Sequence, residues 1–177
     1  MQSIFKMKKL FQNIVTSPSL LSLILSLSAL IFAIFLQYKF NLIPCYLCEL
    51  QRYGYVVALL LAILGIKYKD NNIFPTLISI AFLAVFIIAF WHKGIEAYWW
   101  SPTSECTEMS YNIGTLQEEL EKANTEKPTA SCDQLSPTLL NITLVEWSLM
   151  YAFVSFISVT FLLLKRIIGK KNEFKKL

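Results

Sequence analysis

The stretch IFPTLISIAFLAVFIIAFW, from Ile73 to Trp91, contains no charged side chain. A hydrocarbon core about 30 Å thick takes about 20 helical residues, so this run can cross a bilayer once. A helix satisfies every backbone hydrogen bond within its own segment, which makes it the expected spanning element. Pro75 falls in the first turn, where a missing N–H costs little. Working outward, the runs Ser19 to Tyr38 and Trp147 to Leu164 are also uncharged. A fourth run, Tyr53 to Ile66, is too short alone; it reaches span length only if its helix begins near Cys48, with Glu49 and Arg52 in the first turn. The expectation is an all-α membrane protein, a four-helix transmembrane bundle forming one integral domain over residues 1–177. Its spans should cover about 19–40, 48–66, 73–92 and 144–164, with outer loops over about 41–47 and a long one over 93–143.

Composition agrees. The chain is 55% hydrophobic, 14% aromatic and only 16% charged, with a mean hydropathy of +0.52; soluble domains run at roughly 45–50% apolar and about 25% charged. Those proportions exclude a disordered chain, a nucleic-acid-binding module and a water-soluble enzyme. Lys6, Lys8 and Lys9 precede the first run as they would in a signal peptide. That run is longer than a usual 7–15-residue signal core and ends in no small-residue cleavage pattern, so it is read as a retained anchor.

Orientation follows from the basic flanks. Lys6, Lys8, Lys9, Lys67 and Lys69 fall on one side with the cluster from Lys165 to Lys176; the other side has only Lys39, Arg52, Lys93, Lys122 and Lys127. The outer segment is instead acidic, from Glu96 through Glu118, Glu119 and Glu121 to Asp133. Both termini and the loop near Asp70 are expected in the cytoplasm, and both outer loops on the opposite face.

All four cysteines fall on that outer face: Cys45 and Cys48 as a C-x-x-C at the mouth of the second span, and Cys106 and Cys132 in the long segment. In an oxidising compartment an even number of thiols permits full pairing, and four allow three connectivities; adjacency favours Cys45–Cys48 and Cys106–Cys132. A staple for a polar loop would explain the second pair equally well. Zinc needs two closely spaced pairs for a four-cysteine site, and the second pair is too spread for that. Pro44 biases Ile43 toward an extended backbone, so a helix should start just afterwards. Cys48 then sits near a helix N-terminus, where the macrodipole favours a thiolate. Arg52 lies one turn deeper on the same face. Its charge is costly at the membrane edge without an anionic partner, although snorkelling to headgroups also accounts for it. Dithiol, cation and bilayer edge together point to electron exchange with a lipid-soluble carrier.

With those residues placed, the chain resembles the DsbB family of quinone-dependent disulfide-forming membrane proteins. The resemblance rests on Pro44-Cys45-Tyr46-Leu47-Cys48, on Gln51-Arg52-Tyr53, and on Cys106 and Cys132 between spans three and four. It extends to Trp91-His92-Lys93-Gly94-Ile95-Glu96, Trp99-Trp100 and Pro102, and covers about residues 19–165. It implies a multi-pass protein of the bacterial inner membrane with its cysteines facing the periplasm. Its partner would be a DsbA-like thioredoxin-fold oxidase, its cofactor a membrane quinone (ubiquinone or menaquinone), and the respiratory chain its indirect electron sink. By resemblance, the partner attacks an exposed Cys106–Cys132 disulfide at Cys106, Cys132 bridges to Cys45, and Cys48 donates to quinone oriented by Arg52. His92 is a further candidate for quinone contact or proton supply, against a plain interfacial histidine beside Trp91. Gln51 stands where some members have an acid and is given no proton-transfer role. Trp99 and Trp100 are expected to form an interface belt rather than to take a ring-stacking role. Thr115 to Ala123 has the spacing of a short amphipathic helix. Two rival readings remain: a non-catalytic tetraspan scaffold with a stapled loop, and a vitamin-K-epoxide-reductase-like enzyme. In the latter the loop cysteines should precede the C-x-x-C, whereas here they follow it.

Overall fold

The structure, a computed structural model, describes residues 17–69, 71–103, 106, 131–132 and 136–174, with backbone only over 172–174. The expected Thr115–Ala123 helix, the basic flank Lys6 to Lys9, and Asp70 lie outside the described residues. Four helices are long and apolar enough to cross a membrane: α1 (Pro18–Phe40), α2 (Tyr46–Lys67), α3 (Ile73–Glu96) and α4 (Leu144–Phe174). The fold is an all-α membrane bundle. Neighbours in sequence pack on one another throughout, while the seam between α1 and α4 is looser.

Lipid tails are as apolar as leucine, so burial alone cannot hold such a bundle; close packing and interhelical hydrogen bonds must. Ala58, Ala62, Ala89 and Ala152 are fully buried with Ile78, Phe82, Val85 and Val159. Gly54 lets α2 press against α3, since a Cβ there would collide with Val85. Polar bonds cross between helices as well. The Ser79 and Thr160 hydroxyls meet at 2.7 Å, and the Tyr151 hydroxyl donates to the Leu25 carbonyl at 2.8 Å. Ile31, Leu60, Ile87 and Phe161 face outward, as a lipid-facing surface requires.

The helix ends depart from the runs of uncharged residues. α2 begins at Tyr46 rather than near Cys48, because Cys45 is its N-cap: its sulfur accepts the Cys48 N–H at 3.4 Å. α3 continues past Trp91 to Glu96, because the charges that seemed to end it, Lys93 and Glu96, pair with each other at 2.9 Å. α4 starts with a capping box not singled out in the sequence. The Thr143 N–H donates to Glu146, and the Glu146 N–H donates back to the Thr143 hydroxyl, each at 3.2 Å. Just before it, β1 (Thr138–Leu139) and β2 (Ile142–Thr143) form a two-residue antiparallel hairpin. Its tip, Leu140 and Asn141, has φ of 57° and 63°, the left-handed pair of a tight hairpin turn that suits asparagine and strains leucine.

Candidate functional site

Pro44 ends the extended stretch before α2, and Cys45 caps the helix with ψ of 169°. That geometry turns the Cys45 sulfur back over the first turn, 2.8 Å from the Cys48 sulfur. None of the four cysteines is disulfide-bonded in this structure. α3 brings His92 to the same point: its Nε2 lies 3.6 Å from the Cys45 sulfur, and the ring is almost wholly buried. The histidine at the outer end of α3 therefore lies against the C-x-x-C.

The second pair closes over the first. The Cys132 N–H donates to the Cys106 carbonyl at 3.1 Å, and the Cys106 N–H to Thr103 at 2.9 Å. Cys132 packs with Cys106 and Cys45 in one buried cluster, its thiol close enough to interact with both. The contact order is Cys106, Cys132, Cys45, Cys48. Cys106 and Cys132 are each 1% exposed and pack with Leu47, Ile95 and Trp100. This corrects the expectation that the outer pair is exposed: packing against the end of α3, not loop polarity, decides its accessibility. Burial, then the bond to Cys132, pushes the Cys106 thiol up to about 11. The hydrogen bond with Cys45, reinforced by burial, raises Cys132 further.

The two tryptophans divide. Trp99 is exposed, as an interface residue would be. Trp100 instead stacks on Trp91 with centroids 4.8 Å apart, and its indole N–H donates to the Trp91 carbonyl at 3.0 Å. The ring lies where a side chain at residue 94 would be, so only Gly94 allows the approach.

Beside Cys48 opens a cavity of about 720 Å³ with mostly apolar walls. Arg52 reaches it from α2, held by α1: one guanidinium nitrogen donates to Gln37 Oε1 at 2.7 Å and another to the Ala33 carbonyl at 3.4 Å. Among the described residues Arg52 forms no ion pair with a carboxylate. A guanidinium has five donors, so fixing two of them orients the group while leaving it able to bind an acceptor. Gln51, buried, accepts the Ser148 hydroxyl across to α4. Gln37 went unnoticed because a single amide leaves a run uncharged.

A polar clamp caps the site. Buried Glu96, one turn beyond His92, accepts the Ser136 N–H at 3.2 Å and the Thr143 hydroxyl at 3.0 Å. Lys93 bridges Glu96 and Glu146 at 2.9 and 2.8 Å. The chain leaving Cys132 is thereby tied to the end of α3 and the start of α4. The arrangement can pass a disulfide between neighbouring pairs and present the last dithiol to an apolar molecule bearing a hydrogen-bond acceptor.

The family model described as Disulfide bond formation protein DsbB matches residues 16–163. The chain is similar to a Disulfide bond formation protein B of Herminiimonas arsenicoxydans, 28% identical over 156 residues that cover 83% of this chain and 91% of that protein. It is also similar to the Uncharacterized protein RP370 of Rickettsia prowazekii (strain Madrid E), 24% identical over 134 residues, 75% of this chain and 78% of the relative. No solved structure gives a significant match.

Proposed function

The chain belongs to the DsbB family of disulfide-forming membrane proteins, and from that premise we propose that it reoxidises a DsbA-like thiol oxidase and passes the electrons to a membrane quinone. The observation that carries this reading is the continuous contact from Cys106 through Cys132 and Cys45 to Cys48, ending at a cavity lined by Arg52. The cavity suits a quinone: mostly apolar walls accept its ring and tail, and Arg52 supplies donors for a carbonyl oxygen. When bound, that carrier accepts two electrons and two protons.

The chain's own residues do the rest by thiol–disulfide exchange. A partner thiolate attacks the Cys106 sulfur of a Cys106–Cys132 disulfide; the S–S bond breaks, and Cys132 leaves as a thiolate. The partner's second thiol then displaces Cys106, so the partner gains a disulfide and the outer pair holds the two electrons. Cys132, in contact with Cys45, attacks a Cys45–Cys48 disulfide there and frees Cys48 beside the cavity. Cys106 closes on Cys132 and releases Cys45, leaving the inner pair reduced. Arg52, restrained by Gln37 and Ala33, orients the acceptor and steadies negative charge that develops on it. His92, against the Cys45 sulfur, is placed to take or return its proton. The basic flanks support an orientation with both termini in the cytoplasm of a bacterial inner membrane and the cysteines in the periplasm, on the side from which the partner would come.

Purified protein supplied with quinone should oxidise a reduced thioredoxin-fold partner, and Cys48→Ser should stop quinone reduction. Unimpaired turnover in that variant would refute the reading and leave the stapled scaffold.

A further inference from the structure

We propose that the reduced chain binds one Zn²⁺ ion through the sulfurs of Cys45 and Cys48 and Nε2 of His92, and that the bound ion holds the relay shut. The three donor atoms all lie within 4.8 Å of one another. Zinc bonds of about 2.3 Å to sulfur and 2.0–2.1 Å to nitrogen place donors in a tetrahedral site about 3.5 Å (S to N) and about 3.8 Å (S to S) apart. The 3.6 Å between the Cys45 sulfur and His92 already meets that figure; the two sulfurs, at 2.8 Å, need to part by about 1 Å. Rotation about the side-chain bonds of Cys48, partly exposed beside the cavity, can supply that movement.

The donors are held by rigid elements, which favours binding. Cys45 is the N-cap of α2, Cys48 lies in its first turn, and His92 is on the neighbouring α3. Charge favours binding too. Two thiolates and a neutral imidazole around Zn²⁺ sum to zero, so the complex adds no net charge at a membrane-edge site that already contains Arg52. Binding releases two protons, one from each thiol, and moves no electrons because zinc has no redox chemistry. A fourth position faces the cavity, where water can complete the tetrahedron. The same two sulfurs cannot ligate zinc and form a disulfide. Zinc therefore competes directly with oxidation of the inner pair and arrests the chain in its reduced form whenever an electron acceptor is scarce.

The test uses full-length protein in detergent, reduced with a phosphine, freed of oxygen and titrated with Zn²⁺ against a chromophoric chelator. One ion per reduced chain is expected, and none once Cys45 and Cys48 are oxidised. His92→Asn should weaken binding by more than about 100-fold, beyond the 10–100-fold typical of losing an outer-shell partner. Cys106→Ser with Cys132→Ser should leave stoichiometry and affinity unchanged. Zinc X-ray absorption of the unmodified protein should show two sulfur and one nitrogen ligands, a readout that does not depend on how any variant folds. Four sulfur ligands, loss of binding in the Cys106/Cys132 double variant, or no uptake by the reduced chain would each overturn the proposal. None of these outcomes bears on quinone reduction, so the metal site is tested apart from the proposed activity; only the arrest that zinc would impose rests on that reading.

Discussion

Replacing Glu96 tests whether the relay depends on how the outer segment is held. The carboxylate is 3% exposed and binds the Ser136 N–H and the Thr143 hydroxyl, while Lys93 pairs with both it and Glu146. A hydrogen bond to a charged group contributes about 1.5–3 kcal/mol, so the two neutral donors together set a loss of about 3–6 kcal/mol for Glu96→Ala. The Lys93 pair adds about 1 kcal/mol at most, because that ammonium is partly exposed and keeps Glu146 as a partner. Glu96→Gln retains one acceptor and should cost about 1–2 kcal/mol. Ser136 follows Cys132 by one short stretch, so the Ala variant also frees the Cys132 sulfur from its place beside Cys45. A misplacement of about 1 Å can cost about 10²-fold in rate. Exchange between the two pairs should slow by that order in Glu96→Ala and by less in Glu96→Gln. Rapid acid quench, alkylation and mass spectrometry after adding reduced partner would follow the four thiols in time. A lowered melting temperature with an unchanged exchange rate would refute the reasoning, since Glu96 would then stabilise the fold without positioning Cys132.

Gly94→Ala places a Cβ inside the Trp100 ring and should destabilise by about 1–3 kcal/mol; adding Trp100→Ala should restore most of it, as a thermal melt in detergent will show. Leu140→Gly relieves a left-handed leucine at the hairpin tip and should raise stability by about 1 kcal/mol in the same measurement. The reduced protein should also respond to alkali. The fold keeps the Cys106 proton to about pH 11 while an unfolded thiol releases it near 9, so stability present below pH 9 should fall as pH rises through 11. Over the same window iodoacetamide should alkylate Cys106 faster with each unit of pH, and a flat profile would contradict its burial.

Much of the bundle was legible because lipid imposes a simple demand: a run without charge must be a helix, since nothing else satisfies its backbone. The ends of the helices are less legible, because a charge beside an apolar run reads as a stop signal. Lys93 and Glu96 neutralise each other within one turn and let α3 run on. Thr143-Leu144-Val145-Glu146 carries a readable capping box that was hidden beside a hydrophobic run. At the site, Cys45, Cys48 and Arg52 could be grouped from spacing alone, being within two turns of one helix. His92 joined them only through its place at the outer end of α3, and Gln37 and Glu96 could not be grouped with them at all. Each acts across helices, and the pairing of helices is set by Gly54, Ala58 and their neighbours rather than by any local pattern. Trp100 was misjudged for a related reason: a tryptophan pair at a membrane edge looks like a belt, and only Gly94 discloses that one ring turns inward.

The burial of Cys106 places a constraint on any relay through these residues. Internal exchange needs Cys132 within reach of Cys45, and the packing of Ile95 and Trp100 around the outer pair supplies that closeness. Attack by a partner needs the Cys106 sulfur approached in line at about 3–3.5 Å by an atom from outside, which the same packing forbids. One arrangement cannot serve both steps. On the proposed relay, this arrangement suits exchange between the two pairs, and the Cys106 sulfur would have to come away from Ile95 and Trp100 before a partner could reach it. The clamp at Glu96 then has a defined place: it ties the chain beyond Cys132 to the ends of α3 and α4 and so keeps the bridging thiol against Cys45.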